Sequence, residues 1–443
     1  MKHIINRLLS IALLFVLSFS TVSSLSATGL NSYAYQSENS DLLNKLLSLN
    51  GVSDVKSLES KAFKEKFVLN IEQPINHKNP SQGTFKQRVF VMLTDVNKPT
   101  VLVTEGYGGA YAERPNYREE LSRIFDANIV FVEHRYFLNS TPQPLDWTYL
   151  TAENAANDLH RINVEMRKIF KGKWIATGIS KGGQNAMLYT MFFPGDMDVT
   201  VPYVAPLCKG VEDGRHEPFL NDFAGTQVER QKIKDFQTEL LKRRSTLQPM
   251  FNKLCADKGY EFNLPIEEIY DYTVLEFSFS LWQWGAPVSD IPALNADDQT
   301  LFAYWIKMCS PDYFVKESNT SSFFVQAAKE LGYYGYDIKP FKQYLKIKSA
   351  KGYLNKIFLP QGLNVKFDRS LYKNMKRFLD KTNNKMMFIY GEFDPWSAVM
   401  VDEPKGKNIV VFVEPKGSHR TRIGSLKEDD RNKAVEILTN WLK

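Results

Sequence analysis

The chain has 443 residues, 43% of them hydrophobic, enough for one large core with a substantial insertion, so two compact units are expected. The formal net charge of +6 is mild and dispersed, and loss of Lys2 and Arg7 with an N-terminal leader leaves +4, which argues against a nucleic-acid partner. Cys208, Cys255 and Cys309 fit no zinc-site spacing and none follows the leader, where a lipid anchor would need one; in an exported chain they are either buried, inert thiols or one disulfide with a thiol left over.

Residues 1–27 read as a secretory signal: Lys2 and Arg7 are followed by the apolar run 8–19 and by an exit at 24–27 in which Ser24, Ser26 and Ala27 are small. That run is about a dozen residues, short of the roughly 20 that span a bilayer, so export is expected, to the periplasm or outside the cell, without stable membrane insertion once the signal is removed. Next come β-rich runs at 67–72 and 85–93, separated by the turn-rich stretch 77–83, which predicts an antiparallel hairpin. Short apolar runs at 100–104, 128–132, 174–177 and 199–204 then alternate with helical patterns at 117–125, 152–170 and 183–193. Such alternation predicts a parallel sheet with crossover helices. From about 211 to 374 it gives way to amphipathic stretches such as 228–242 and the aromatic-rich 269–284. Strand patterns return at 385–390 and 408–413, and 429–442 closes the chain as a helix. The sequence therefore predicts an α/β domain, residues 28–210 and 375–443, with a mainly helical cap, 211–374, inserted before the last two core strands. A cap so placed covers the carboxyl ends of the strands, where open α/β sheets bind ligands.

Gly178-Ile179-Ser180-Lys181-Gly182-Gly183 follows a predicted strand and opens a predicted helix, which is the required context of a nucleophile elbow. The serine must sit at the apex of a strained turn, and residues two positions away on each side must be small for the backbone to close. A phosphate-binding loop needs Lys-Ser or Lys-Thr after Gly183, where Gln184 and Asn185 stand, and Gly106 to Tyr111 lacks the third glycine of a dinucleotide fingerprint. A serine hydroxyl needs an imidazole to take its proton. His419, after the last predicted strand, occupies the place that the order Ser, acid, His gives it in an α/β-hydrolase, whereas His216 reads as a surface turn opening the insertion. Asp394, in Gly391-Glu392-Phe393-Asp394-Pro395-Trp396, follows the penultimate strand and is the expected acid, with Glu392 as the alternative. The amide of Lys181 is the expected first oxyanion donor, and the glycine-rich 105–109 loop supplies the second, with Tyr107 as the candidate.

Thr104 to Gly109, Glu133-His134-Arg135-Tyr136-Phe137, the Ser180-Lys181-Gly182-Gly183 elbow and Asp394-Pro395-Trp396-Ser397 together resemble the secreted bacterial tripeptidyl aminopeptidases. They are also similar to the prolyl carboxypeptidase and dipeptidyl peptidase family. Lys181 favours the tripeptidyl side, because the other group usually has an aromatic residue after the nucleophile. The resemblance implies a serine exopeptidase acting at peptide N-termini, with proline preference in parts of the family. Glu133 and Glu105, at the ends of core strands, are candidates to pair with a substrate ammonium; an internal ion pair is the alternative for Glu133. Trp282 and Trp284, with Phe277, are candidates for an apolar wall against a proline ring, and plain packing is the alternative. The expected reaction is release of short, tripeptide-scale N-terminal fragments through an acyl-enzyme on Ser180. An esterase or lipase on the same triad and a non-catalytic binding protein are the rival readings. Peptide is the only partner implied, no metal or organic cofactor is indicated, and the sequence does not fix the oligomeric state.

Overall fold

The computed structural model describes residues 40–443, so the signal assigned to residues 1–27 lies outside the described residues. Its centre is a nine-stranded sheet formed by β1 (Val52–Ser57), β2 (Glu65–Pro74), β3 (Thr84–Leu93), β4 (Thr100–Thr104), β5 (Asn128–Val132), β6 (Trp174–Ile179), β7 (Val199–Tyr203), β8 (Met386–Gly391) and β9 (Ile409–Glu414), in the order β1-β2-β3-β5-β4-β6-β7-β8-β9. β2 and β3 form the expected hairpin and pair from Glu65 opposite Leu93 to Pro74 opposite Thr84. β3 runs antiparallel to β5, and β5 through β9 are parallel. The edge strand β1 has no counterpart in the sequence reading. Its Val-Ser-Asp-Val-Lys-Ser is mostly polar and half-exposed, so it lacks the apolar alternation that announces a strand.

Successive residues of the central strands feed opposite faces, as the pleat requires. Leu102, Val130, Val132 and Ala176 pack with Ala156, Leu159, Ile162 and Met166 of the helix Ala152–Met166 and with Ala186 and Tyr189 of the helix Lys181–Phe192. Val101, Val103, Ile129, Phe131 and Ile175 face the other way, onto Leu121 and onto Ala434 and Leu438 of the closing helix Glu428–Leu442. Burial on both faces explains why these strands read as continuous apolar runs.

Between β7 and β8 the chain is mainly helical, with the long helices Gln227–Lys242, Arg244–Asp257, Ile266–Trp284 and Asp298–Met308. Thr226 and Glu229 form a reciprocal capping box at the start of the first, and Gly285 ends the third in the left-handed conformation. The apolar cluster of this segment includes Phe236, Phe251, Tyr270, Phe277 and Trp305. Trp396 and Val399, from the turn after β8, belong to the same cluster, which brings the helical segment against one end of the sheet. Cys208, Cys255 and Cys309 are all free and buried, which decides the open choice in favour of inert thiols; burial pushes the Cys255 thiol up to about 11.

Candidate active site

The loops after β4, β6, β8 and β9 leave one edge of the sheet, because those strands are parallel. Ser180 lies at the β6 turn with φ 58° and ψ −121°, a conformation that a residue with a Cβ adopts only under constraint. The constraint is visible. A Cβ on Gly178 would stand 2.3 Å from the carbonyl carbon of Gly182, and one on Gly182 would stand 2.8 Å from the oxygen of Thr104. The turn closes only with glycine at both positions, and the Ser180 N–H is tied to the Tyr203 carbonyl at 2.9 Å. Helix begins at Lys181, whose N–H is among the first-turn amides that a helix leaves without an internal partner.

Asp394 and His419 meet. Nδ1 of His419 lies 2.7 Å from Oδ2 of Asp394, and the acid is fully buried. The other carboxylate oxygen accepts the Trp396 N–H at 3.1 Å, so Pro395 starts a short turn capped by the acid itself. The Phe393 N–H donates to Gly417 O at 2.8 Å, and the His419 N–H donates to Gln283 O at 3.0 Å, which locks the acid loop, the histidine loop and the helix Ile266–Trp284 together. With Nδ1–H bound to the carboxylate, Nε2 carries the lone pair that a general base requires. Glu392, the alternative acid, is exposed and accepts the Lys416 N–H instead. His216 is not on a surface turn. Its ring is buried among Phe279, Tyr334 and Trp396, and that burial drives its pKa down to about 3, so it is neutral.

The remaining candidate residues divide. The side chain of Lys181 is buried and donates to Gly106 O at 2.8 Å. The Tyr107 N–H points to Glu105 Oε1 at 3.1 Å, so this amide is engaged within its own loop and does not match the oxyanion donor expected from sequence. Glu105 also accepts the Tyr111 hydroxyl, and burial pushes its pKa upward. Glu133 is fully buried and accepts three donors: Arg88 reaches it at 2.5 Å, the Gly109 N–H at 2.7 Å and Ser140 Oγ at 2.8 Å. It is an internal ion pair, closed off from a substrate ammonium by its burial, and its partner is Arg88. Arg135 pairs with Asp158 at 2.6 Å and caps the carbonyls of Pro74, Ile75 and Tyr149. Trp284 is 40% exposed with its ring 6.4 Å from that of His419, whereas Trp282 is buried edge-on to Phe393 and lines a cavity of about 570 Å³ with Phe279 and Glu217. Two rings beside the site went unassigned in the sequence reading: Trp396, 6.5 Å from the His419 ring, and Phe323, which packs on Tyr107 at 5.5 Å. Trp396 was signalled by its place two residues after the acid; nothing local marks Phe323.

A mixed sheet, parallel from β5 to β9 with one swapped strand pair, a strained serine between strand and helix, and an Asp–His pair in the loops after the last two strands define an α/β-hydrolase. The chain belongs to the PS-10 peptidase S37 family, whose model matches residues 36–443. It is 29% identical over 414 residues to a prolyl tri/tetrapeptidyl aminopeptidase of Streptomyces mobaraensis, covering 90% of this chain and 85% of that one. Among solved structures it is similar to a peroxisomal α/β-hydrolase of Saccharomyces cerevisiae, at 9% identity and TM-score 0.41 over 86% of this chain and 90% of that one. A proline iminopeptidase of Mycobacterium smegmatis aligns at 10% identity and TM-score 0.36 over 88% and 99% of the two chains.

Proposed function

We propose that this protein is an exported serine aminopeptidase that releases tripeptide-scale fragments from free peptide N-termini, with Ser180 as nucleophile, His419 as base and Asp394 as orienting acid. The observation that carries the reading is the 2.7 Å Asp394–His419 bond on the sheet edge that also presents the strained Ser180, in a chain of a peptidase family. Ser180 Oγ attacks the scissile carbonyl carbon as Nε2 of His419 takes its proton; the C–N bond then breaks and the departing amine leaves with that proton. Water repeats the cycle on the acyl-enzyme and frees the fragment. The Lys181 amide donates to the developing oxyanion. Residues 28–210 and 375–443 form the catalytic domain in this reading, and 211–374 form the cap that restricts entry to chain ends. The Streptomyces mobaraensis relative, a prolyl tri/tetrapeptidyl aminopeptidase, supports short N-terminal products. Residues 1–27 would direct export; among the described residues no helix is long and apolar enough to cross a membrane.

The test is mass spectrometry of products from a peptide library offered with free and with acetylated N-termini, run beside a series of p-nitrophenyl esters. Short N-terminal products formed only from the free peptides are expected. Internal cleavage, equal cutting of blocked peptides, or activity confined to long-chain esters would overturn the assignment.

A further inference from the structure

We propose that Lys181 is a positioning residue: through the carbonyl of Gly106 its side chain clamps the 105–109 loop onto the nucleophile turn, and turnover depends on that clamp. The inference rests on Ser180 being the nucleophile. Lysine side chains are almost never fully buried unless paired, yet this one is 1% exposed, with Nζ 2.8 Å from Gly106 O and 5.5 and 5.8 Å from the ring centres of Phe137 and Tyr107. One turn along the same helix, Asn185 Nδ2 donates to the preceding carbonyl, Glu105 O, at 3.0 Å. Two side chains of the nucleophile helix therefore hold two successive carbonyls of one loop. The 106–107 peptide is fixed at its other pole as well, since the Tyr107 N–H is bound by Glu105. Backbone meets backbone beneath this clamp: a Cβ on Gly106 would lie 2.7 Å from the Gly182 nitrogen. The loop consequently has one seat on the elbow.

A buried ammonium is a costly way to fill space that a methionine would fill without penalty. Burial pushes the pKa of Lys181 down to about 7, with the carboxylates of Glu105 and Glu330 pulling it back up. The other titratable groups facing it are Tyr107, whose hydroxyl is held neutral by burial, and His134, which burial and the lysine charge keep unprotonated. The charged amine is the stronger donor to Gly106 O, so the hold weakens as pH rises through about 7. Because the loop packs backbone to backbone on the turn that carries Ser180, loosening it shifts the nucleophile, and a misplacement of about 1 Å costs on the order of 100-fold in rate.

The wild type is expected to show an alkaline fall in kcat near neutrality; Lys181→Met is expected to lose that fall, to lower kcat about 100-fold with KM within about threefold, and to leave the melting temperature unchanged or raised. Lys181→Gln, which keeps a neutral donor, is expected to fall between the two and is the variant to read if the methionine form does not fold. Wild-type kcat in both variants, or an alkaline limb that survives in them, overturns the clamp. Labelling of wild-type Ser180 by a fluorophosphonate separates this outcome from failure of the catalytic assignment itself.

Discussion

Asp394→Asn tests the Asp–His pair with almost no change in shape. The carboxylate accepts two N–H donors, His419 Nδ1 on one oxygen at 2.7 Å and Trp396 N on the other at 3.1 Å. Asparagine has one carbonyl oxygen and one amide group, so it can serve only one of them. If the oxygen stays on Trp396, the NH2 faces Nδ1 and selects the imidazole tautomer with its proton on Nε2, which cannot accept a proton from Ser180. If the oxygen turns to His419, the buried Trp396 N–H meets a donor and loses its partner, at a cost of about 1–3 kcal/mol. The first arrangement leaves the fold intact, and the comparable exchange in serine proteases lowers kcat about 10,000-fold, or about 5.5 kcal/mol in the barrier. Steady-state hydrolysis of a tripeptidyl amide across pH 6–9, with urea unfolding of the same preparation, reads both quantities. The expected result is a kcat loss of at least about 1,000-fold with a stability change below about 3 kcal/mol. An asparagine variant that keeps a tenth of the wild-type rate would refute the role given to Asp394.

Glu276 is buried among the hydroxyls of Tyr334, Tyr336 and Ser280, and burial pushes its pKa up to about 7. A carboxyl whose folded pKa lies above its unfolded value stabilises the fold at low pH and loses that contribution as pH rises from about 4.5 through about 7. Glu276→Gln should therefore gain about 3 kcal/mol on the wild type between pH 5 and pH 8 in urea unfolding, and an equal difference at both pH values would count against the burial argument. Gly178→Ala drives a Cβ to within 2.3 Å of Gly182 C, so it should both destabilise the protein by about 1–3 kcal/mol or more and abolish labelling of Ser180; a well-folded, active alanine variant would contradict the steric reading of the turn. Arg135→Met strips Asp158 of its buried guanidinium and should cost about 3–5 kcal/mol in thermal or urea unfolding while kcat of the folded fraction is kept; a loss of turnover at unchanged stability would move Arg135 from scaffold to site.

The parallel strands were legible because burial on both faces writes an uninterrupted apolar run, as in β4 to β7, and because helices of opposite periodicity separate them. The elbow was legible for a different reason: the turn has room only for glycine at Gly178 and Gly182, so steric need is recorded directly in residue identity. Asp394 and His419 followed from chain order. What escaped depends on partners distant in sequence. Sequence left Glu133 open between a substrate ammonium and an internal base, and the partner that decides it, Arg88, stands 45 residues earlier on a neighbouring strand. The Asp-Gly-Arg-His stretch reads as a turn, yet the ring of His216 is enclosed by Phe279 and Tyr334, more than 60 residues on. The Tyr107 amide could not be assigned from a glycine count either, since its direction is set by the carboxylate two residues before it and by the side chains of Lys181 and Asn185.

The acyl-enzyme on Ser180 is tested most directly by treating the protein with a fluorophosphonate and locating the adduct by mass spectrometry after trypsin digestion. One equivalent of label is expected on the peptide 174–181, blocked by a competing free-N-terminal peptide and lost in His419→Ala. Active protein that carries no label on that peptide, or carries it on another serine, would contradict it.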